Sequence, residues 1–175
     1  MMIGIKFNSL SKQENFGMNN QCFVFDYKFD VELLKSKYIE FKDKMVKLDP
    51  EDDMEKMWGI FNPSFNYMDE LREKFGFNFY PMLNYTQKGS SIDIHKDDVS
   101  ECSILVDLND TEQSPITYVN DDGSFTHYYY KQCLVNGKID HAVFNLKNDR
   151  YTLKLCIDDI PFQKAKEQII KRINC

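Results

Sequence analysis

The sequence predicts one α+β domain in which helices precede a β-sandwich or barrel. Three observations carry that expectation. From Phe77 onward, seven strand-sized runs follow one another with turn residues between them, a spacing that suits stacked or closed sheets and not alternating strand–helix units. Ahead of Phe77, two segments repeat apolar residues every three or four positions, the helical period. The tail from Pro161 to Asn174 returns to that period.

Taken in order, Cys22–Phe29 alternates large apolar residues with smaller or polar ones and reads as a strand. Asp30 is placed to cap a helix whose face carries Val31, Leu34, Tyr38, Phe41 and Met45. Lys47–Lys56, crowded with charge around Asp49-Pro50, reads as a solvated loop, its acidic cluster Glu51–Glu55 included. A second helix follows, with Asn62 as cap, Pro63 at the first position, Phe65, Met68, Leu71 and Phe75 on one face, and Gly76 as the stop. The strand runs are Phe77–Thr86, Ser91–Lys96, Cys102–Leu108, Pro115–Asn120, Phe125–Val135, Asp140–Leu146 and Arg150–Ile157. Among the breaks, Asn136-Gly137 is the strongest hairpin signal. Ala165, Ile169 and Ile170 mark a closing helix. No repeat or linker divides the chain.

Composition narrows the function classes. With 175 residues, 42% of them hydrophobic, the chain can bury a core without disulfides or a structural metal. Its longest apolar runs, such as Cys102–Val106, are too short to cross a bilayer. No basic-then-apolar leader follows Met1–Gly4. Five scattered cysteines (Cys22, Cys102, Cys133, Cys156 and Cys175), with no C-x-x-C pair, fit a reduced, cytoplasmic setting. A net charge of −6 counts against nucleic acid as partner, because phosphate binding wants a basic groove.

Chemistry concentrates on scarce residues, since the chain has three histidines (His95, His127, His141) and three arginines (Arg72, Arg150, Arg172). His95 and Asp97, two apart on a strand, present a nitrogen and an oxygen to the same small volume. His141, on another strand, completes a set of two imidazoles and one carboxylate, the arrangement that suits Fe(II) with open positions opposite. Asp93 and Asp98 compete with Asp97 for the carboxylate role. Arg150 opens the last strand with Thr152 on the same face, a planar guanidinium and a hydroxyl fitted to a carboxylate. Lys154 is the alternative anion partner on that face, and Tyr85, ten residues before His95, carries a phenol toward the same anion.

The runs Asn84-Tyr85-x-x-x-Gly89-x-x-Ile92-x-x-His95-x-Asp97, Cys102–Leu108, His141-Ala-Val143 and Arg150-Tyr-Thr152-Leu153 together resemble the 2-oxoglutarate- and Fe(II)-dependent oxygenases. The resemblance covers roughly Phe77 to Ile157. It implies a double-stranded β-helix, or jelly roll, over residues 77–160, supported by a strand-and-helix part over 1–76 and a C-terminal helix over 161–175. It also implies iron on His95, Asp97 and His141, and the distal carboxylate of 2-oxoglutarate on Arg150, with Thr152 and Tyr85 as helpers. The intervals from Tyr85 to His95 and from His141 to Arg150 are similar to those of prolyl-hydroxylase-like members. Leu134-Val-Asn136, His141–Asn145 and Arg150 resemble aspartyl/asparaginyl-hydroxylase-like members, which usually lack the aspartate present here.

The activity so implied is oxidative decarboxylation of 2-oxoglutarate by O2, coupled to hydroxylation of a C–H bond, with ascorbate as a candidate reductant. An amino-acid side chain, prolyl first, in a peptide or free, is the expected substrate; a small metabolite, or a non-catalytic metal-binding jelly roll, is the alternative. The remaining singular residues have plainer readings. Asn84 and Asn145 read as turn or strand-end asparagines, with hydrogen-bond donation behind the site as the alternative. His127 reads as a half-exposed strand residue, and the run His127-Tyr-Tyr-Tyr130 as core and edge packing, with the lining of a substrate cleft as the alternative. Trp58, Met57 and Phe61 lie between helices and sheet, and Arg72 and Arg172 sit on helix surfaces.

Overall fold

A computed structural model describes residues 20–50, 56–110, 114–144 and 146–174. The expectations made for Met1–Gly4, Glu51–Glu55, Asn145 and Cys175 fall outside the described residues. In chain order the elements are β1 (Cys22–Val24), α1 (Val31–Phe41) and its 3-10 extension Lys42–Lys44, β2 (Val46–Lys47), β3 (Met57–Phe61), α2 (Tyr67–Phe75), β4 (Tyr80–Thr86), β5 (Ile92–His95), β6 (Cys102–Asp107), β7 (Ile116–Val119), β8 (Phe125–Tyr128), β9 (Gln132–Asn136), β10 (His141–Val143), β11 (Arg150–Ile157) and α3 (Phe162–Ile173). The strands form two antiparallel sheets, a seven-stranded one in the order β1-β9-β6-β11-β4-β3-β2 and a four-stranded one in the order β5-β10-β7-β8.

Two apolar layers hold these sheets. Leu83, Ile104, Val106, Leu134, Leu153 and Leu155 point from the large sheet onto Leu34, Leu71, Phe75, Phe162, Ala165 and Ile169 of the helices. The alternate positions Leu105, Cys133 and Val135 meet Ile116, Tyr118 and Val143 of the small sheet. Every residue of β6 is buried because that strand is covered on both faces, which suits the consecutive apolar residues Ile104–Val106 at its centre. Among the described residues, no helix is long and apolar enough to cross a membrane.

Asp30 caps α1 as expected, accepting from the Leu33 amide at 3.0 Å, and Gly76 ends α2 in the left-handed conformation at φ 75°. Four sequence expectations need correction. Asn62 and Pro63 do not open α2, which begins at Tyr67; the Asn62 amide donates to the Pro81 carbonyl at 2.8 Å, extending the pairing of β3 with β4 and delaying the helix. The charged Lys47–Lys56 segment hid β2 and β3 around it. These strands exist because β3 pairs with β4 over five residues, a tertiary contact that local composition cannot announce. Phe125–Val135 is two strands in different sheets, with Tyr129–Lys131 crossing between them.

The fourth correction concerns Asn136-Gly137. It makes no hairpin, because β9 and β10 lie in different sheets and the chain passes between them there. The β7–β8 hairpin closes instead through Asp121-Asp122-Gly123, with Gly123 at φ 79°. Gly137 is required by close approach: a Cβ at this position would stand 2.8 Å from Asp97 Cβ and Oδ2.

Candidate metal centre and anion pocket

His95 ends β5 and His141 opens β10, and the two are direct cross-strand partners. Their rings lie 4.4 Å apart between centroids, tilted by 49°. Asp97 stands just beyond β5, where its amide donates to the Gly137 carbonyl at 2.8 Å. One ligand atom from each of His95, Asp97 and His141 lies within 4.8 Å of the others, which places all three around a volume fit for one metal ion. Asp93 contributes its backbone carbonyl, not its carboxylate. Asp98 is exposed and outside this cluster, and its backbone carbonyl accepts from Lys138.

Both imidazoles are locked in one tautomer. His95 Nδ1 lies 2.7 Å from the Asp93 carbonyl and His141 Nδ1 lies 2.8 Å from the Ile139 carbonyl. A carbonyl only accepts, so each Nδ1 carries the proton and each Nε2 keeps its lone pair toward the shared volume. Burial, with a contribution from His95, holds the His141 pKa below the usual histidine value, so its imidazole is neutral near pH 7. Tyr118, fully buried, packs its ring 5.6 Å from that of His141 and supports it from the core.

Asp97 is mostly buried. Burial alone would raise its pKa, but the Lys154 ammonium outweighs that penalty by charge and hydrogen bond. His141 and Ser100 act in the same direction, and the carboxyl sits below the usual range. Lys154 Nζ contacts both carboxylate oxygens, at 2.9 and 3.0 Å, and Ser100 Oγ donates to Oδ2 at 3.0 Å.

From this cluster a cavity of about 90 Å³ runs between the two sheets, bounded by His95, His141, Asn84, Arg150, Thr152 and Lys154 among others. The inward face of β11 supplies Arg150, Thr152 and Lys154 in succession, and Asn84 stands directly across from Thr152. Arg150 is 5% exposed, with its Nε buried and unpartnered, and Asn84 Oδ1 is likewise buried without a partner. Buried polar atoms rarely stay unsatisfied, and these two on one cavity wall call for water or a polar ligand. Gly59 makes room for Asn84: a Cβ there would stand 2.9 Å from Oδ1.

The cavity therefore gathers His95, His141, Arg150 and Thr152, with Asp97 beside the two histidines in the metal cluster, but not Tyr85. That side chain occupies the opposite face of β4, stacked between Trp58 (5.5 Å) and Tyr151 (5.3 Å) in an aromatic row beneath α1. Strand alternation explains the miss, since Asn84 and Thr86 face inward and Tyr85 must face outward. The phenol beside Arg150 is that of Tyr130, which accepts a hydrogen bond from Nη2. Tyr130 lies in the crossing between sheets, so no strand period points to it. Asn84 did carry a signal, as a lone amide inside the apolar run of β4. Of the Met57-Trp58-Phe61 group, Met57 lines the cavity and Phe61 is exposed, so only Trp58 faces the helix side.

Tyr130→Phe is expected to raise the dissociation constant of a dicarboxylate roughly tenfold or more, because a buried hydrogen bond to a charged group contributes about 1.5–3 kcal/mol when intact. Calorimetric titration of the metal-loaded protein measures it, and an unchanged value would show that Tyr130 does not orient Arg150.

No family model matches the chain, and no curated protein matches its sequence. Solved structures do match. A Pseudomonas putida prolyl-4-hydroxylase superposes with a TM-score of 0.59 at 12% identity, covering 79% of this chain and 94% of that one. The chain has the fold of the 2-oxoglutarate- and Fe(II)-dependent oxygenases. HygX from Streptomyces hygroscopicus, with nickel and 2-oxoglutarate bound, superposes with a TM-score of 0.55 at 11% identity, covering 87% of this chain and 89% of that one. A second HygX structure, which also holds hygromycin B, gives a TM-score of 0.53 at the same identity and coverage.

Proposed function

We propose that the chain is an oxygenase that uses Fe(II), O2 and 2-oxoglutarate, with His95, Asp97 and His141 as the metal ligands. The observation that carries this reading is the pair of tautomer-locked imidazoles facing Asp97 at one end of a cavity that also holds a buried arginine whose Nε has no partner. The donor set suits Fe(II), two neutral imidazoles and one carboxylate leaving positions open for other ligands. Bound there, Fe(II) supplies the redox chemistry that couples decarboxylation of 2-oxoglutarate by O2 to hydroxylation of a C–H bond.

The chain's own residues bind, orient and exclude. Arg150 holds the distal carboxylate, presented by Tyr130 on one side and with the Thr152 hydroxyl nearby. Asn84 offers its free carbonyl oxygen to a polar hydrogen in the same cavity. At roughly 10–15 Å³ per water-sized site, about 90 Å³ accommodates a ligand of the size of 2-oxoglutarate and little more. The substrate accordingly presents its C–H bond from the cavity mouth. We assign one oxygenase domain to the whole chain, with a jelly-roll core over residues 77–160 buttressed by 1–76 and 161–175. An amino-acid side chain, prolyl first, is the proposed substrate; the sequence intervals around His95 and Arg150 and the likeness to a prolyl-4-hydroxylase support it.

The test is succinate formation from 2-oxoglutarate with Fe(II) and ascorbate, alone and with proline-containing peptides. Slow uncoupled turnover, stimulated by a peptide that gains one oxygen atom, is expected. Stimulation by small metabolites alone would replace the prolyl reading. Absence of succinate together with absence of metal-dependent 2-oxoglutarate binding would overturn the enzyme and leave a non-catalytic metal-binding module.

A further inference from the structure

Lys154 has a place that the proposed chemistry does not by itself require. It lies on the inward face of β11, four residues beyond Arg150 and thus roughly 13 Å along the strand, at the metal end of the cavity. Its side chain is 19% exposed and that of Asp97 11%, so this is a largely dry ion pair and not a surface one. The ammonium sits across both oxygens of the one carboxylate in the metal cluster. A divalent ion needs at least one of those oxygens, and it would be bound close to a fixed positive charge. Like charges at such distances repel strongly where water is scarce.

We propose that Lys154 is an internal counter-cation that occupies Asp97 until a divalent metal and an anionic 2-oxo acid are both present, and so couples their binding. The metal takes an oxygen of Asp97 from Lys154. The released ammonium then faces the cavity, where the acid's carboxylate neutralises it. Metal alone must displace the ion pair and leave an uncompensated ammonium in a dry site; metal together with the acid need not. The inference rests on the metal-site reading above. It adds that Lys154 opposes the metal by itself and favours the metal–acid pair.

Titration with Mn(II), by calorimetry or electron paramagnetic resonance without oxygen, tests this in the presence and absence of 2-oxoglutarate. Lys154→Met is expected to bind Mn(II) alone at least roughly tenfold more tightly than the unsubstituted protein. The tightening of Mn(II) by 2-oxoglutarate should shrink by a similar factor, and by linkage so should the tightening of 2-oxoglutarate by Mn(II). Lys154→Arg, which keeps the charge, should stay near the parent. A Lys154→Met protein with equal or weaker affinity for Mn(II) alone would overturn the proposal, because a residue that merely holds Asp97 in place would weaken the metal when removed. If circular dichroism shows Lys154→Met unfolded, Lys154→Gln is read by the same criteria. Unsubstituted protein that fails to bind Mn(II) even with 2-oxoglutarate would overturn the metal site itself. Binding by the parent with no effect of the substitution overturns only the role of Lys154.

Discussion

His141→Ala is expected to lower the affinity for Mn(II) or Fe(II) more than roughly 100-fold, since removing an outer-shell partner alone typically costs about 10–100-fold. The residue is buried, its Nδ1 is committed to the Ile139 carbonyl, and its Nε2 is the atom left to the cluster. His95→Ala should behave alike, because the two are cross-strand partners presenting the same tautomer. The third histidine provides the control: His127 is exposed on β8 and pairs with the Thr117 hydroxyl at 2.8 Å, outside the cavity. His127→Ala should leave metal binding unchanged. Equal losses at all three positions would point to general destabilisation, and retention of metal by His141→Ala would remove that histidine from the ligand set.

Arg150→Met is expected to weaken 2-oxoglutarate binding to the metal-loaded protein roughly 100-fold or more, with metal affinity held within a few-fold. Removing one partner of a buried, paired charge costs about 3–5 kcal/mol, and every 1.4 kcal/mol is a factor of ten. Arg150→Lys should recover only part of the loss, since an ammonium cannot engage two carboxylate oxygens in the planar fork that guanidinium offers. Arg72→Lys is the matched control; Arg72 pairs with Asp69 at 2.7 Å and lies against Phe79, remote from the cavity. Calorimetry with 2-oxoglutarate under anaerobic conditions separates these outcomes. A loss of metal binding equal to the loss of 2-oxoglutarate would place Arg150 in the scaffold and not in the anion site.

The elements that were legible in sequence are those whose signal is local. Asp30 announces α1 because an N-cap acts within three residues, and Gly76 ends α2 because a left-handed residue favours glycine wherever it occurs. The run Ile104–Val106 declares β6 a central strand because burial on both faces favours consecutive apolar residues. His95, Asp97, His141, Arg150 and Thr152 stood out by residue type, scarcity and a two-residue spacing that the strand period converts into a common direction.

What the chain could not disclose locally is the pairing of its two sheets. Asn136-Gly137 carries the chemistry of a hairpin, yet the residues after it join the small sheet, and its glycine serves the close approach of Asp97. Tyr85 had the right distance from His95 but the wrong parity on β4. Tyr130, in the crossing between sheets, reaches Arg150 only because β9 and β11 lie in one sheet while β8 belongs to the other. Lys154 looked like a spare anion partner and proves to be tied to Asp97, 57 residues away. Sequence by itself determined which residues have the chemistry to bind a metal and an anion. Tertiary structure decided which of them meet, because strand order and facing depend on long-range pairing, and a one-residue change of parity moves a side chain from the cavity to the opposite face.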